Sequence, residues 1–202
     1  MNQRIPNDYL TYLGNETTPI DFTDFWHKMR TNVQDYNLVY DLERQLNYRF
    51  ENKRVYRLSL QALDKTKVIG WYIRSEKQQR YCLLTTHGYR SSKKQPHDYL
   101  YWVDSGFDVI VLDMRLKGGE TGNNTPLSGP MSEVIALNIL DLENSYLSLI
   151  HQDMMLATRL PEALGYEGYV LEGTSQAGGL SIAMGCIMQT ASVVLANVTS
   201  NS

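Results

Sequence analysis

Four apolar segments that alternate with helical stretches constrain the fold of this 202-residue chain more than any other feature. The segments are YCLLTT (81–86), DVIVLD (108–113), YVLEG (169–173) and SVVLANV (192–198). Unbroken apolar runs with polar residues at their ends are typical of strands buried on both faces of a sheet. Helical stretches lie near 97–105, 144–160 and 177–190. Because strand and helix alternate, we predict an α/β fold with a mostly parallel central sheet flanked by helices.

An amphipathic helix is predicted near the start of the chain, over DFTDFWHKMRTNVQ (21–34). Its large apolar residues recur at spacings of three and four, which places them on one helical face. These residues are Phe22, Phe25, Trp26, Met29 and Val33. Asp21 is the predicted N-cap, and we interpret the apolar face as core packing rather than as a binding site.

A β-hairpin is predicted to follow this helix. Apolar and polar residues alternate in VYRLSLQAL (55–63), and KVIGWYIRS (67–75) is its expected partner strand. We therefore predict a single α/β domain over residues 1–202. Residues 1–80 supply the helix and antiparallel strands, and residues 81–202 supply the parallel βα units.

Composition and charge exclude several classes of function. The net charge is −3 and no basic stripe stands out, which argues against a nucleic-acid partner. No stretch reaches 18 apolar residues, so we predict no membrane span. The opening MNQRIPNDYL lacks the apolar segment of a signal peptide, and we expect a cytoplasmic protein. Cys82 and Cys186 are then expected to be buried, reduced thiols.

The segment VLEGTSQAGGLS (170–181) places a serine in a turn of small residues between a predicted strand and a predicted helix. A nucleophilic serine in an α/β-hydrolase occupies such a strained turn, with small residues two positions before and after it. Gly173 and Ala177 stand at these positions around Ser175, with Ala177 adding one methyl group to the usual glycine. Ser175 is therefore the candidate nucleophile, and an ordinary tight turn is the alternative.

The segment THGYR (86–90) directly follows a predicted strand and stands where a loop of the oxyanion hole is expected. The backbone N–H of Tyr89 would pair with that of Gln176 to bind the oxyanion. We interpret His87 as a structural residue that braces this loop, because a base in this fold follows the serine in the chain.

Together these segments resemble the acetyl xylan esterase / cephalosporin C deacetylase family of α/β-hydrolases. The matching pieces, in chain order, are IDFTDFWHKMR, VIGWYIR, THGYR, YLYWVDSGFDVIVLDMR and LEGTSQAGGLSIAMG. The resemblance implies the α/β-hydrolase fold. It also implies a serine carboxylesterase that removes acetyl groups from carbohydrates, such as xylo-oligosaccharides, or from cephalosporin-like esters.

The resemblance further implies a role for each residue of the site. Ser175 would be the nucleophile, the backbone amides of Tyr89 and Gln176 the oxyanion hole, and Gly173 the glycine of the elbow. It implies no metal and no organic cofactor. Complete members of the family assemble as homo-oligomers.

The chain departs from the family pattern in three places. Arg115-Leu116-Lys117 stands where the family has Arg-Gly-Gln, and Ala177 replaces a glycine. The 27 residues after Ser175 contain no Asp, Glu or His, although the acid and the histidine of the triad follow the serine in this fold. We therefore expect a sheet that is incomplete at the C-terminus and a chain that is inactive or impaired.

Two other interpretations stay open at this point. The upstream histidines, His27, His87, His97 and His151, have no sequence reason to reach Ser175, which favours a non-catalytic truncated remnant or an interaction protein with the same fold. A related peptidase or acyltransferase is the weaker alternative, and profiling of acyl and peptide substrates would separate it from an acetyl esterase.

Overall fold

A seven-stranded sheet forms the centre of the protein in this computed structural model, which describes residue 11 and residues 17–197. The strands are β1 (Tyr40–Arg44), β2 (Lys53–Gln61), β3 (Lys67–Ser75), β4 (Tyr81–Thr85), β5 (Asp108–Leu112), β6 (Gly168–Thr174) and β7 (Val193–Asn197). The helices are α1 (Phe22–Asp35), α2 (Leu100–Asp104), α3 (Tyr146–Ala157), α4 (Leu160–Ala163) and α5 (Gln176–Met188). Short 3₁₀ helices cover Pro96–Tyr99 and Met131–Ala136. The opening decapeptide and Val198, which entered two of the predictions, lie outside the described residues.

The strand order is β1-β2-β3-β5-β4-β6-β7. The first three strands pair antiparallel with their neighbours, and β3 also pairs antiparallel with β5. The pairs β5–β4, β4–β6 and β6–β7 are parallel. All strands except β1 and β3 therefore run in one direction, which confirms the predicted mostly parallel sheet.

Consecutive residues of the central strands face two separate halves of the core, because side chains alternate across a sheet. Leu84 and Ile110 join the cluster beneath α1, α3 and α5. Leu83 and Val109 join the smaller cluster beneath α2. Every residue of β5 is buried, as its unbroken apolar sequence predicts.

The edge strand β7 forms where a strand was predicted, but the prediction that it is buried on both faces is wrong, because all five of its residues are exposed. Its sequence is as apolar as that of β5, but within the described residues it pairs only with β6, whereas β5 lies between β3 and β4. Cys186 on α5 is also exposed, whereas Cys82 is buried as expected. Burial at this edge depends on neighbours, which an apolar pattern does not specify.

The first helix agrees with its predicted bounds within one residue. Met29 and Val33 are buried against the core, while Phe22 at the start of the same face is 48% exposed. Asp21 holds the N-cap position, but its side chain makes no capping hydrogen bond. The acidic side chain near the helix start therefore acts at most through the helix dipole.

Candidate active site

The carboxyl ends of β5, β4 and β6 meet at one edge of the sheet, because these neighbouring strands are parallel. The loops that follow them span residues 113–121, 86–94 and 174–176. Parallel α/β sheets bind ligands at this edge. The topology thus brings together the two candidate site segments, THGYR and the turn around Ser175, with the loop after β5 beside them.

Ser175 stands at a sharp turn between β6 and α5, in a backbone conformation that is costly for a residue with a side chain. Its φ is 58° and its ψ is −122°, and the residue is exposed. The turn is held from both sides: the Ser175 N–H donates to the Asn197 carbonyl at 2.7 Å, and the Gly179 N–H donates to the Ser175 carbonyl at 3.1 Å. The predicted strand–turn–helix setting is therefore present.

Two residues explain how the turn closes. A Cβ atom on Gly173 would overlap the backbone carbonyl group of Ala177, so only glycine fits at this position. The extra methyl group of Ala177 is fully buried and tolerated. The departure from glycine at position 177 therefore leaves the elbow intact.

Two backbone N–H groups lie open beside this turn. Within the described residues, the N–H groups of Tyr89 and Gln176 have no hydrogen-bond acceptor. A Cβ built on Gly88 would lie 3.7 Å from the Ser175 Cβ, which places the loop before Tyr89 in contact with the serine. The Gln176 N–H also belongs to the first turn of α5, where the helix dipole favours negative charge. This arrangement can bind an oxyanion.

His87 has a structural role, as predicted. The Met114 N–H donates to His87 Nε2 at 3.0 Å, so Nε2 is unprotonated, and Nδ1 faces the Gly88 carbonyl at 2.9 Å as a donor. Burial lowers the pKa of His87, which keeps the imidazole neutral. Because its one acceptor nitrogen is already engaged, His87 is not available as a base for Ser175.

The Asp113 carboxylate, fully buried, ties the two loops beside the elbow together. Its oxygens accept from the Lys93 backbone N–H at 2.6 Å, from Lys93 Nζ at 2.7 Å and from the Glu120 N–H at 3.0 Å. Lys93 also binds the Glu120 carboxylate, and this bond, with a second from Arg57, lowers the pKa of Glu120. Nothing in the sequence indicated this network, although Asp113 ends a predicted strand and Arg57 lies within another.

Arg115 forms a second buried network below the first. Its guanidinium donates to Asp153 at 2.7 and 2.9 Å and to Asp64 at 2.6 and 3.0 Å, and Arg115 is 1% exposed. Burial raises the pKa of Asp64, but the bonds from Arg115 and Thr125 outweigh it and hold that pKa well below its usual range. The arginine of the altered Arg-Leu-Lys segment is thus the anchor of the loop after β5.

A cleft of about 470 Å³ opens beside the Ser175 side chain. Its lining is polar and aromatic, and includes Asp98, Tyr99, Tyr101 and Glu172. The Glu172 carboxylate accepts from the Thr85 hydroxyl at 2.7 Å across the β4–β6 pair. Glu172 lies in the predicted strand YVLEG. Its side chain faces the cleft because side chains alternate between the two faces of a strand.

The other histidines lie elsewhere. His151 is buried on α3, where Nδ1 faces the Leu147 carbonyl and burial lowers its pKa. His27 lies on α1, and the imidazole of His97 is 63% exposed. Over residues 17–197 no histidine hydrogen-bonds to Ser175.

None of the helices in the described part of the chain is long and apolar enough to cross a bilayer.

The sheet order, the crossover helices and the strained serine between β6 and α5 define an α/β-hydrolase. Within that class, the profile of the acetyl xylan esterase (AXE1) family matches residues 5–200, and the chain belongs to this family.

Solved structures agree with the fold. The acetyl xylan esterase from Paenibacillus sp. R4 superposes with a TM-score of 0.88 at 21% identity, over 95% of this chain and 63% of that one. Acetyl xylan esterase 1 from Thermoanaerobacterium sp. JW/SL YS485 gives 0.86 at 22% identity, over 95% and 62%. A putative acetyl xylan esterase from Bacteroides fragilis gives 0.62 at 14% identity, over 85% and 51%. The chain therefore spans less than two thirds of the length of these structures.

Proposed function

We propose that this chain carries the nucleophile of a serine esterase that removes acetyl groups from carbohydrates or from related small esters. The observation that carries the proposal is the exposed Ser175 at φ 58° with two unpartnered N–H groups beside it. Such a turn is costly to form, and its use is to present a hydroxyl to an electrophilic carbonyl.

In the proposed reaction, the Ser175 hydroxyl attacks the acetyl carbonyl and forms a tetrahedral intermediate. The backbone N–H groups of Tyr89 and Gln176 hold the oxyanion, which in other serine hydrolases contributes about 10²–10³ in rate for each donor. The proton of Ser175 passes to a histidine base that an acid orients. Over residues 17–197 no histidine hydrogen-bonds to Ser175, and the acceptor nitrogen of His87, which lines the same cleft, is already engaged. We assign both the base and the acid to polypeptide outside the 202 residues, in a longer form of this chain or in a second chain.

The substrate class follows from the family and from the cleft. The two most similar solved structures named above are acetyl xylan esterases, and the side chains that line the cleft combine tyrosine rings with carboxylates. Aromatic faces and carboxylate acceptors suit a sugar, which presents C–H faces and hydroxyl donors. Acetylated xylo-oligosaccharides are the proposed substrates, and cephalosporin-like acetyl esters are the second choice within the same chemistry.

Hydrolysis of 4-nitrophenyl acetate by the purified chain, beside its Ser175→Ala variant, tests the proposal. The oxyanion hole and substrate binding alone leave about 10³–10⁴ of acceleration over water when triad members are missing, so we expect weak turnover. Ser91→Ala is the matched control, because Ser91 lines the same cleft without an elbow.

Loss of turnover in Ser175→Ala but not in Ser91→Ala would support Ser175 as the nucleophile. Equal turnover in the parent and Ser175→Ala would mean that the 202-residue chain does not use Ser175, because the residual acceleration does not need the serine. Ser175→Ala in a protein that carries the complete triad is then the deciding variant, and unchanged turnover there would contradict Ser175 as the nucleophile.

A second candidate function is binding without hydrolysis. It is favoured by the absence, over residues 17–197, of any histidine hydrogen-bonded to Ser175. Titration calorimetry with an acetylated xylo-oligosaccharide separates the two functions: saturable binding with no release of acetate supports a binding protein, whereas release of acetate supports the esterase.

A further inference from the structure

Lys117 is a buried cation without a hydrogen-bond partner. The residue is 5% exposed, and within the described residues its Nζ has no acceptor. The ammonium lies 3.2 Å from the centroid of the Tyr89 ring and 4.9 Å from that of Tyr146. The rings stabilise the positive charge, but they do not replace acceptors for its three N–H donors.

A second orphaned polar group lies next to it. The hydroxyl of Tyr89 is buried and also has no partner within the described residues. Buried polar groups without a hydrogen-bond partner are rare in native proteins, because leaving them unpaired is energetically costly. Two such groups on contacting side chains indicate a missing acceptor that both could bind.

Tyr89 and Lys117 line a cavity of about 210 Å³ behind the oxyanion loop, with Arg90, Leu116 and Ser132 among its other walls. Arg90 adds a second positive charge, 5.4 Å from the centroid of the Tyr89 ring. Its guanidinium is partly compensated by Glu133 at 3.6 Å, whereas Lys117 has no acidic partner among the described residues. The cavity is thus positive and rich in donors, as a site for an anion requires.

We propose that Lys117, the Tyr89 hydroxyl and Arg90 form a binding site for a small carboxylate. A carboxylate is acceptor-only, so one guest would satisfy both orphaned groups and neutralise the buried charge. The cavity is large enough for acetate, the smallest carboxylate that the proposed reaction would release. The site is distinct from the Ser175 cleft, because the two cavities have no lining residue in common. The proposal does not depend on hydrolysis by Ser175.

Titration calorimetry with sodium acetate at pH 7, in a bulky sulfonate buffer, tests the site. We expect one saturable event with a dissociation constant of about 1–10 mM, since so few atoms limit affinity. Acetamide, which has the same shape without the charge, should not bind. Burial and the neighbouring Arg90 lower the pKa of Lys117 to about 8. Acetate should therefore bind at least about tenfold more weakly at pH 9.5, where the ammonium has lost its proton.

Lys117→Met keeps the length of the side chain and removes its charge, and it should weaken acetate binding at least about tenfold. Lys65→Met is the matched control, because Lys65 lies 4.9 Å from the Tyr36 ring but on the surface. Tyr89→Phe keeps the ring and should weaken binding several-fold. If Lys117→Met does not fold, acetate binding by Tyr89→Phe and by the parent at pH 7 and pH 9.5 tests the site instead. Acetate binding that is unchanged by these substitutions and by pH would overturn the site, whereas loss of esterase activity in Ser175→Ala with acetate binding intact would leave it standing.

Discussion

The two flanks of the candidate site differ in how their polar groups are partnered. On the β5 flank, Asp113 and Arg115 are each almost fully buried and bind several groups at 2.6–3.0 Å. On the elbow flank, the N–H groups of Tyr89 and Gln176 lack acceptors within the described residues, and all of β7 is exposed. From this difference we infer that the β5 flank stabilises the protein and that the elbow flank recognises the substrate. The bonded networks of Asp113 and Arg115 hold the loops, and the elbow side presents unsatisfied donors to a substrate.

Removing Arg115, on the β5 flank, should have the largest effect on the stability of the protein. Arg115→Met leaves the carboxylate of Asp153, which is 6% exposed, without its partner. Breaking a buried ion pair from one side costs about 3–5 kcal/mol in the free energy of unfolding. Urea denaturation measures the loss. Arg80→Met removes a partner of Glu167 from a pair exposed to solvent, and it should leave the unfolding midpoint unchanged. Equal effects of the two substitutions would mean that the buried network does not stabilise the β5 flank.

Gly173→Ala should disrupt the elbow flank next most strongly. Its methyl group would overlap the backbone of Ala177, and overpacking of this kind costs about 1–3 kcal/mol. Gly179→Ala is the matched control on α5, because its Cβ would meet no atom within 4 Å. In a helix interior this exchange stabilises by about 0.5–1 kcal/mol. Chemical denaturation should therefore shift in opposite directions for the two variants, and shifts of the same sign would contradict the tight elbow.

The pH dependence of stability should report the burial of His87. An unfolded histidine takes up a proton near its ordinary pKa of about 6.5, whereas burial lowers the pKa of folded His87. Between the two pKa values the unfolded state binds more protons, so stability falls as the pH falls through this window. The slope is at most about 1.4 kcal/mol per pH unit for one proton.

His87→Asn should remove its share of that slope, measured by urea denaturation between pH 5 and pH 7.5. His151, whose pKa burial also lowers, keeps its own share in this variant. His97→Asn is the control, because its side chain is 63% exposed. A slope that His87→Asn leaves intact would show that the loop admits the charged imidazole.

The smallest expected effect on stability, within about 0.5 kcal/mol, belongs to the exposed strand β7. Leu195→Lys places a charge on an apolar edge, and charged edges suppress pairing between chains. Light scattering over a concentration series should show less self-association than in the parent. Leu140→Lys, at a loop position that is 98% exposed, is the comparison. If both substitutions reduce association equally, the edge is not the contact.

Much of the site was predictable because its parts are local. Strand β3 has its predicted bounds, and strands β4, β5 and β6 end within one residue of the predicted positions. Strand ends carry the site residues, so correct strand ends placed Ser175, Tyr89 and Gln176 at one edge. Their roles stay predictions until the Ser175→Ala measurement is made.

The rest was not predictable because its partners are far apart in sequence. Arg115 binds Asp153, 38 residues away, and Asp64, 51 residues away. The Lys117 ammonium lies between two rings that come from different loops and helices. In the sequence these residues are charged positions like many exposed ones, and no periodicity marks them as buried.

The sequence by itself determined the order of strands β2 to β7 and of the longer helices, the parallel arrangement and the turn around Ser175, because alternation and small residues act within a few positions of the chain. The short strand β1 was not predicted. Only the tertiary structure decided which apolar strand is covered and which charges meet. The segments β5 and β7 are equally apolar, yet one is buried throughout and the other is exposed. Burial and pairing are set by the neighbours that distant segments bring, and a local pattern carries no information about those neighbours.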